Sequence, residues 1–302
     1  MTTTREVMQG GGLLLVNKQE GMTSRRVVDR VVRRLRSSRV GHAGTLDPFA
    51  RGLLIVLWDR ATALVPYLQE YPKTYLAEIR FGRVTDTQDR TGQVERETDA
   101  SHLDPSDIRA AMRRSEGWIE QVPPTFSAVK WGGQPAHKRT RRGERLDLAP
   151  RRRFVHRFEL LDWSPPLARS FIECASGTYV RTLAHDLGRA LGPGGCLESL
   201  ERTGIGPFAL ADAIDLTSVE TLSNEAFTGN MLEPALALPD WPSITLDDDE
   251  TFALVRGLVG PLCDRRLDDR AFRALDKDGQ LVALVQGGRA PHILRGFRGE
   301  PA

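Results

Sequence analysis

A chain of 302 residues is about two domain lengths and long enough to bury a core without staples. Hydrophobic residues at 40% and charged residues at 27%, with a formal net charge of +2, are ordinary globular values. The apolar run Leu53 to Trp58 is the longest kind present, far below the ~20 residues of a bilayer span. Cys174, Cys196 and Cys263 show neither zinc-type pairing nor the even count of a disulfide framework. Membrane, secreted and collagen-like readings are excluded, and a cytoplasmic protein is expected.

The charge is unevenly distributed. Lys130 to Arg157 holds ten basic residues against Glu144 and Asp147, and Arg25, Arg26, Arg30, Arg33, Arg34, Arg36 and Arg39 crowd a second stretch. Acidic residues gather elsewhere, as in Asp247 to Glu250. Such segregation fits a face for a polyanion or a solvated surface, and charge alone does not choose.

In chain order, residues 1–11 read as a loose tail. Leu13 to Val16 suits a buried strand. Thr23 or Ser24 caps a helix whose stripe is Val27, Val28, Val31, Val32 and Leu35, with the arginines on its other face. Thr74 to Phe81 alternates, placing Tyr75, Ala77, Ile79 and Phe81 on one side of a strand. Asp104 to Ser115 is a capped amphipathic helix, and Phe154 to Leu161 and Phe171 to Ala175 read as strands. Thr178 to Leu191 is a helix stopped by Gly192-Pro193. Residues 122–150 carry Pro, Gly and Arg without a period and read as an insertion. Pro239 to Pro242 is a linker. Beyond it, Ala271 to Leu275 and Gln280 to Val285 flank the turn residues Asp276 to Gly279, with a further strand at Ile293 to Phe297. The fold class is α+β.

Gly41-His42-Ala43-Gly44-Thr45-Leu46-Asp47-Pro48 is a tight irregular loop between the basic helix and an apolar run, a place to mount a reactive carboxylate. Asp47-Pro48 also reads as an N-cap followed by Pro at N1, which is the commoner use of such a pair. Arg181 falls in the first turn of its helix, where a cation opposes the helix dipole. It either reaches solvent or holds an anion from another segment, and Asp47 is the natural candidate. No phosphate-binding loop, nucleophile elbow or dinucleotide fingerprint is present. Histidines and carboxylates form no metal-type cluster.

Taken together, Gly41 to Pro48, Lys73-Thr74-Tyr75, Phe126 to Lys130, Gly177 to Gly188 and Leu200 to Phe208 resemble the TruB family of tRNA pseudouridine-55 synthases, as does Asn17 to Ser24. The resemblance runs in one order from about Leu13 to Leu216. It implies a mixed-sheet synthase domain at 12–240 with an RNA-binding insertion, and a small β-rich PUA-like RNA-binding domain at 243–302. It further implies cofactor-free, metal-free isomerisation of a flipped uridine in the tRNA T-arm, by a monomer needing no protein partner. Asp47 corresponds to the family nucleophile, and Arg181 keeps it ionised and oriented. Tyr75 stacks on the base and is a candidate to take the C5 proton, Tyr179 and Leu200 line the pocket, and His42 contacts RNA. Lys18, Lys130, Arg139, Arg141 and Arg142 are candidate RNA contacts.

Two positions depart from the family. Gln19 follows Lys18 where proline is usual, and His137 stands where a tyrosine is usual. A non-catalytic RNA-binding module, an RNA-guided synthase and a glycoside hydrolase are the competing classes. Asp47, Tyr75 and Arg181 together disfavour the first, short lysine-poor tails the second, and the lack of a second carboxylate near Asp47 in sequence the third.

Overall fold

The computed structural model describes residues 11–124, 130–131, 134–135, 148–263, 265 and 267–297. These described residues fall into two compact units, one drawn from 11–46, 53–69 and 210–297, the other from 47–52 and 70–209.

In the first unit the strand Gly12–Lys18 is buried almost throughout, as its run of three leucines and a valine requires. It pairs parallel with Ile214–Asp215 and antiparallel with Met231–Leu232. The helix Ser24–Leu35 is capped by Thr23, whose hydroxyl accepts from the Arg26 N–H. Val27, Val28 and Val31 pack against Leu14, Val16, Leu54 and Val56 of the neighbouring strands. Several arginines on the other helix face have protein partners: Arg25 pairs with Asp29, Arg30 and Arg33 with Glu220, and Arg34 donates to the Leu222 carbonyl.

The hairpin expected near the C-terminus forms. Strands Ser243–Thr245, Ala271–Leu275, Leu281–Gln286 and His292–Gly296 make a four-stranded sheet in that order. Asp276 Oδ1 accepts the N–H groups of Asp278 and Gln280 to close the turn. The acidic run Asp247 to Glu250 opens the helix Asp248–Val255 as a complete capping box, a sequence signal for a helix start that the charge count obscured. Leu246, Leu254, Phe272, Val282 and Val285 give this segment a hydrophobic cluster of its own.

The second unit is a sheet flanked by helices. Strands run Gly195–Ile205, Lys73–Phe81, Leu167–Cys174, Arg151–Ser164 and Gly117–Gln121 in spatial order, each antiparallel to its neighbour. Arg51 and Gly52 add to Gly195–Ile205 in parallel, so the sheet is mixed. Alternation along Lys73–Phe81 is strict, with every odd-numbered residue buried. Pro105–Arg114 starts at an Asp104 cap, and Val180–Leu191 ends at Gly192, both as the sequence predicts.

The strand Gly195–Ile205 has no counterpart in the periodicity reading. Its register against Lys73–Phe81 slips between Leu197 and Ser199 and again between Arg202 and Gly204. Each slip resets which face a side chain points to, so the period-two signal is erased over eleven residues. No helix among the described residues is long and apolar enough to cross a membrane.

Candidate active site

Leu46, just before Asp47, is fixed by Ser24, whose Oγ donates to its carbonyl and accepts its N–H. Ser24 is therefore not the helix cap but the anchor of this loop. After Leu46 no helix begins. Pro48 and Phe49 form a single turn closed by the Ala50 N–H donating to the Asp47 carbonyl at 3.1 Å. The capping reading of Asp47 thus loses the helix it would have capped.

The Asp47 carboxylate is held by a fork. Arg181 Nε lies 2.9 Å from Oδ2, and Nη2 donates to Oδ1 at 3.4 Å. The Arg181 side chain is 5% exposed and that of Asp47 36%. A buried, permanently charged guanidinium grips a carboxylate that solvent still reaches. Two guanidinium nitrogens thus stand against the two carboxylate oxygens, one of them in a hydrogen bond, and the pairing aims the carboxylate. Arg181 itself is secured from behind, Nη1 donating to the Thr87 carbonyl at 3.0 Å and standing 3.5 Å from Asp89 Oδ2. The cation expected to oppose its helix dipole is offset by two carboxylates, and its placement is explained.

Asp89 escaped the sequence reading. It sits in the polar stretch Asp86-Thr87-Gln88-Asp89, which carries only turn chemistry as a signal. Its Oδ1 accepts from Thr87 Oγ1, the Thr91 N–H and Thr91 Oγ1. The loop is fastened to the sheet by the Leu197 N–H donating to Gln88 O and the Arg90 N–H to Leu197 O. Thr182 Oγ1 donates to Gln88 Oε1, tying the same loop to the Arg181 helix.

Tyr75 lies in the Lys73–Phe81 strand, directly across from Arg202 on one side and Ile172 on the other. Leu200 pairs with Ala77. Opposed residues share a sheet face, so Tyr75, Leu200 and Arg202 line one side. Tyr75 is 8% exposed and Arg202 2%. Burial pushes the Tyr75 phenol up to about 12, against the pull of the Arg202 guanidinium that hydrogen-bonds its hydroxyl. Lys73, two residues earlier on this face, is lowered to about 8 by burial and by Arg202, and its ammonium donates to the Tyr71 carbonyl. Arg202 belongs to the motif Leu200 to Phe208 but drew no role from sequence.

Tyr179 is half-buried at the start of the Arg181 helix. Gln121 clamps its backbone, Oε1 accepting the Tyr179 N–H and Nε2 donating to its carbonyl. Gln121 is a second residue the sequence reading missed, since a lone glutamine at a strand end carries no periodic signal.

Lys18 and His42 belong to the first unit. Lys18 is fully buried, and its ammonium donates to the carbonyls of Gln19 and Met22. That brace rigidifies the turn in which Gln19 replaces a proline. His42 is half-buried and ends the strand Val40–His42, opposite Val56. Lys130 starts a two-residue strand pairing with Gln134–Pro135. Arg139, Arg141, Arg142 and His137 lie outside the described residues. Among the described residues no group of three His, Cys, Asp or Glu is arranged to hold a metal ion.

The α+β fold with its mixed sheet has counterparts among solved structures. A chain in the crystal structure of a Cbf5-Nop10-Gar1 complex matches with a TM-score of 0.73 at 24% identity, over 95% of this chain and 85% of that one. A chain in the structure of an H/ACA RNP bound to a substrate RNA containing 2'-deoxyuridine matches at 0.71 and 23%, over 95% and 85%. Those likenesses concern the fold.

Sequence carries the assignment further. Residues 32–180 match the model of the TruB family pseudouridylate synthase N-terminal domain, and 181–237 that of the tRNA pseudouridylate synthase B C-terminal domain. A tRNA pseudouridine synthase B of Symbiobacterium thermophilum is 45% identical over 82% of this chain and 82% of its own. One from Nocardia farcinica is 39% identical over 99% and 94%. The chain belongs to the TruB family and is a pseudouridine synthase.

Proposed function

We propose that this enzyme converts the T-arm uridine at position 55 of tRNA to pseudouridine, with Asp47 as the reactive carboxylate. The observation that carries the reading is the Arg181 fork on Asp47, with the cation buried and the carboxylate open to solvent. The identity of these relatives as tRNA pseudouridine synthases supports tRNA as the substrate.

The chemistry balances without an added reagent. The N1–C1' bond of uridine breaks and its electron pair goes to the base. The base turns, C5 bonds to C1', the C5 proton leaves and N1 takes one up. A carboxylate beside the sugar and base can bond covalently or offset positive charge on the sugar. Arg181 keeps it ionised and aimed. Tyr75 provides a ring for the base to stack on and an oxygen for the C5 proton. Leu200 and Tyr179 line the pocket into which the nucleotide is flipped, at a cost of a few kcal/mol.

His42, Lys18, Lys130 and the insertion arginines Arg139, Arg141 and Arg142 are assigned to the RNA grip, and 243–302 to a PUA-like RNA-binding domain. The enzyme works as a cytoplasmic monomer without an obligatory protein partner.

The test is a T-arm stem-loop RNA incubated with purified protein and analysed for pseudouridine by nucleoside mass spectrometry and carbodiimide mapping. Asp47→Asn keeps the shape of the side chain but can neither attack nor offset a cation. It should bind RNA and yield no product. Turnover in that variant, with deamidation excluded by mass, overturns the role of Asp47.

A further inference from the structure

Arg202 is a permanently charged side chain with 2% of its surface exposed, and charge this deep is retained where it has a partner or a task. Two neighbours define its setting. Across the sheet it faces Tyr75 and hydrogen-bonds the phenol oxygen. On its other side it faces Gly52, five residues beyond Asp47. A Cβ at Gly52 would lie 2.4 Å from the Arg202 carbonyl oxygen, so the two backbones touch. Arg51 and Glu201 lock the same register with an ion pair at 2.8 Å. Arg202 is thus wedged between the exit of the Asp47 loop and the tyrosine under the base.

We propose that Arg202 is the positioning residue for the C5 proton step, its guanidinium holding the Tyr75 oxygen in place and stabilising the phenolate that accepts that proton. This rests on the function proposed above. The C5–H bond breaks, its electron pair restores the C5–C6 double bond of the base, and the proton passes to the Tyr75 oxygen. Tyr75 has by then released its own proton to solvent, and N1 takes a proton from solvent, so nothing is consumed. A buried phenol resists ionisation, and a neighbouring cation is what lowers that resistance. Arg202 cannot itself take the proton, because guanidinium stays charged throughout the working pH range. Its contribution is charge and direction.

The test compares wild type, Arg202→Gln and Arg202→Lys on stem-loop RNA carrying protium or deuterium at C5. Loss of a hydrogen bond to a charged group should lower the kcat of Arg202→Gln by roughly ten- to hundredfold, with KM within about threefold. Its C5 deuterium effect should exceed that of wild type, because proton removal has become the slow step. Arg202→Lys keeps the charge and loses the fork, and should fall between the two in rate and isotope effect. A general loss of structure slows turnover without raising the isotope effect, and that result overturns the proposal. Should Arg202→Gln fail to melt cooperatively, Arg202→Lys decides: a rate and isotope effect equal to wild type removes Arg202 from the step. Absence of product from wild type overturns the function instead. Full kcat in Tyr75→Phe overturns the proton step while leaving that function standing.

Discussion

Asp89 grips Arg181 from the side away from Asp47, its Oδ2 3.5 Å from Nη1 and its own side chain 5% exposed. The guanidinium is therefore held by two carboxylates, one sealed and one open. The sealed carboxylate fixes where the guanidinium points, and the open one stays within reach of solvent. Asp89→Asn should keep the fold, since Thr87 and Thr91 still find an acceptor oxygen. Losing the charge should cost about 1–3 kcal/mol of stability and lower kcat by tenfold or more, with RNA affinity little changed. Thermal melting, filter binding and pseudouridine yield from one preparation check it. A variant that melts earlier but turns over normally would make Asp89 purely structural.

Arg181→Lys tests geometry against charge. A lysine in this place supplies a cation without the fork that touches both Asp47 oxygens and the Thr87 carbonyl. Turnover should fall sharply while RNA binding changes little, so kcat should carry the loss. Near-normal kcat would show that a point charge suffices.

Gly52 should not tolerate a side chain. Its φ is +108°, outside the range L-residues adopt easily, and a Cβ would also meet the Arg202 nitrogen at 2.7 Å. Backbone on both sides leaves no flexible atom to move. Gly52→Ala should destabilise the protein by about 1–3 kcal/mol and reduce turnover by displacing the Asp47 loop. An alanine variant with unchanged melting and activity would mean that the strand start is free to shift.

The buried face around Tyr75 predicts a stability optimum in mildly alkaline solution. Lys73 falls from 10.5 unfolded to about 8 folded, so between those values the unfolded chain binds more protons and stability rises with pH. Cys174, directly opposite Lys73, rises from 9.0 to about 12, and Tyr75 from 10.0 to about 12. Their folded forms hold protons that the unfolded chain has lost; together with Cys196, raised by burial from 9.0 to about 11, they outweigh Lys73, so stability falls with pH above about 9. Lys73→Met should remove the rise between pH 8 and 9, and Cys174→Ala should soften the decline above it. Urea melts across pH 7 to 11 measure both slopes. A Lys73→Met curve parallel to wild type from pH 8 to 9 would mean that Lys73 titrates normally.

Local chemistry was legible in the sequence at most places where a residue acts through its neighbours along the chain, the capping box at Asp247 being the exception. Thr23 and Asp104 cap the helices they precede, Gly192 stops the helix that ends before it, and Asp276 to Gly279 turn a hairpin. Tyr75 lies on the buried face that alternation predicts. The family resemblance likewise rests on motif order, which needs no coordinates. Other properties depend on partners far apart in sequence and were decided only on folding. Asp47 reads as a cap until the chain is seen not to continue as a helix. The Arg181 partners lie 134 and 94 residues away at Asp47 and Thr87. Asp89, Gln121 and Arg202 carry no pattern of their own, because a buried polar side chain is defined by what it faces. The strand bearing Leu200 and Arg202 is bulged twice, so its hydrophobic period vanishes although its hydrogen bonds remain. Periodicity records which face meets the core, and the candidate site is built from side chains whose partners come from other strands, loops and helices.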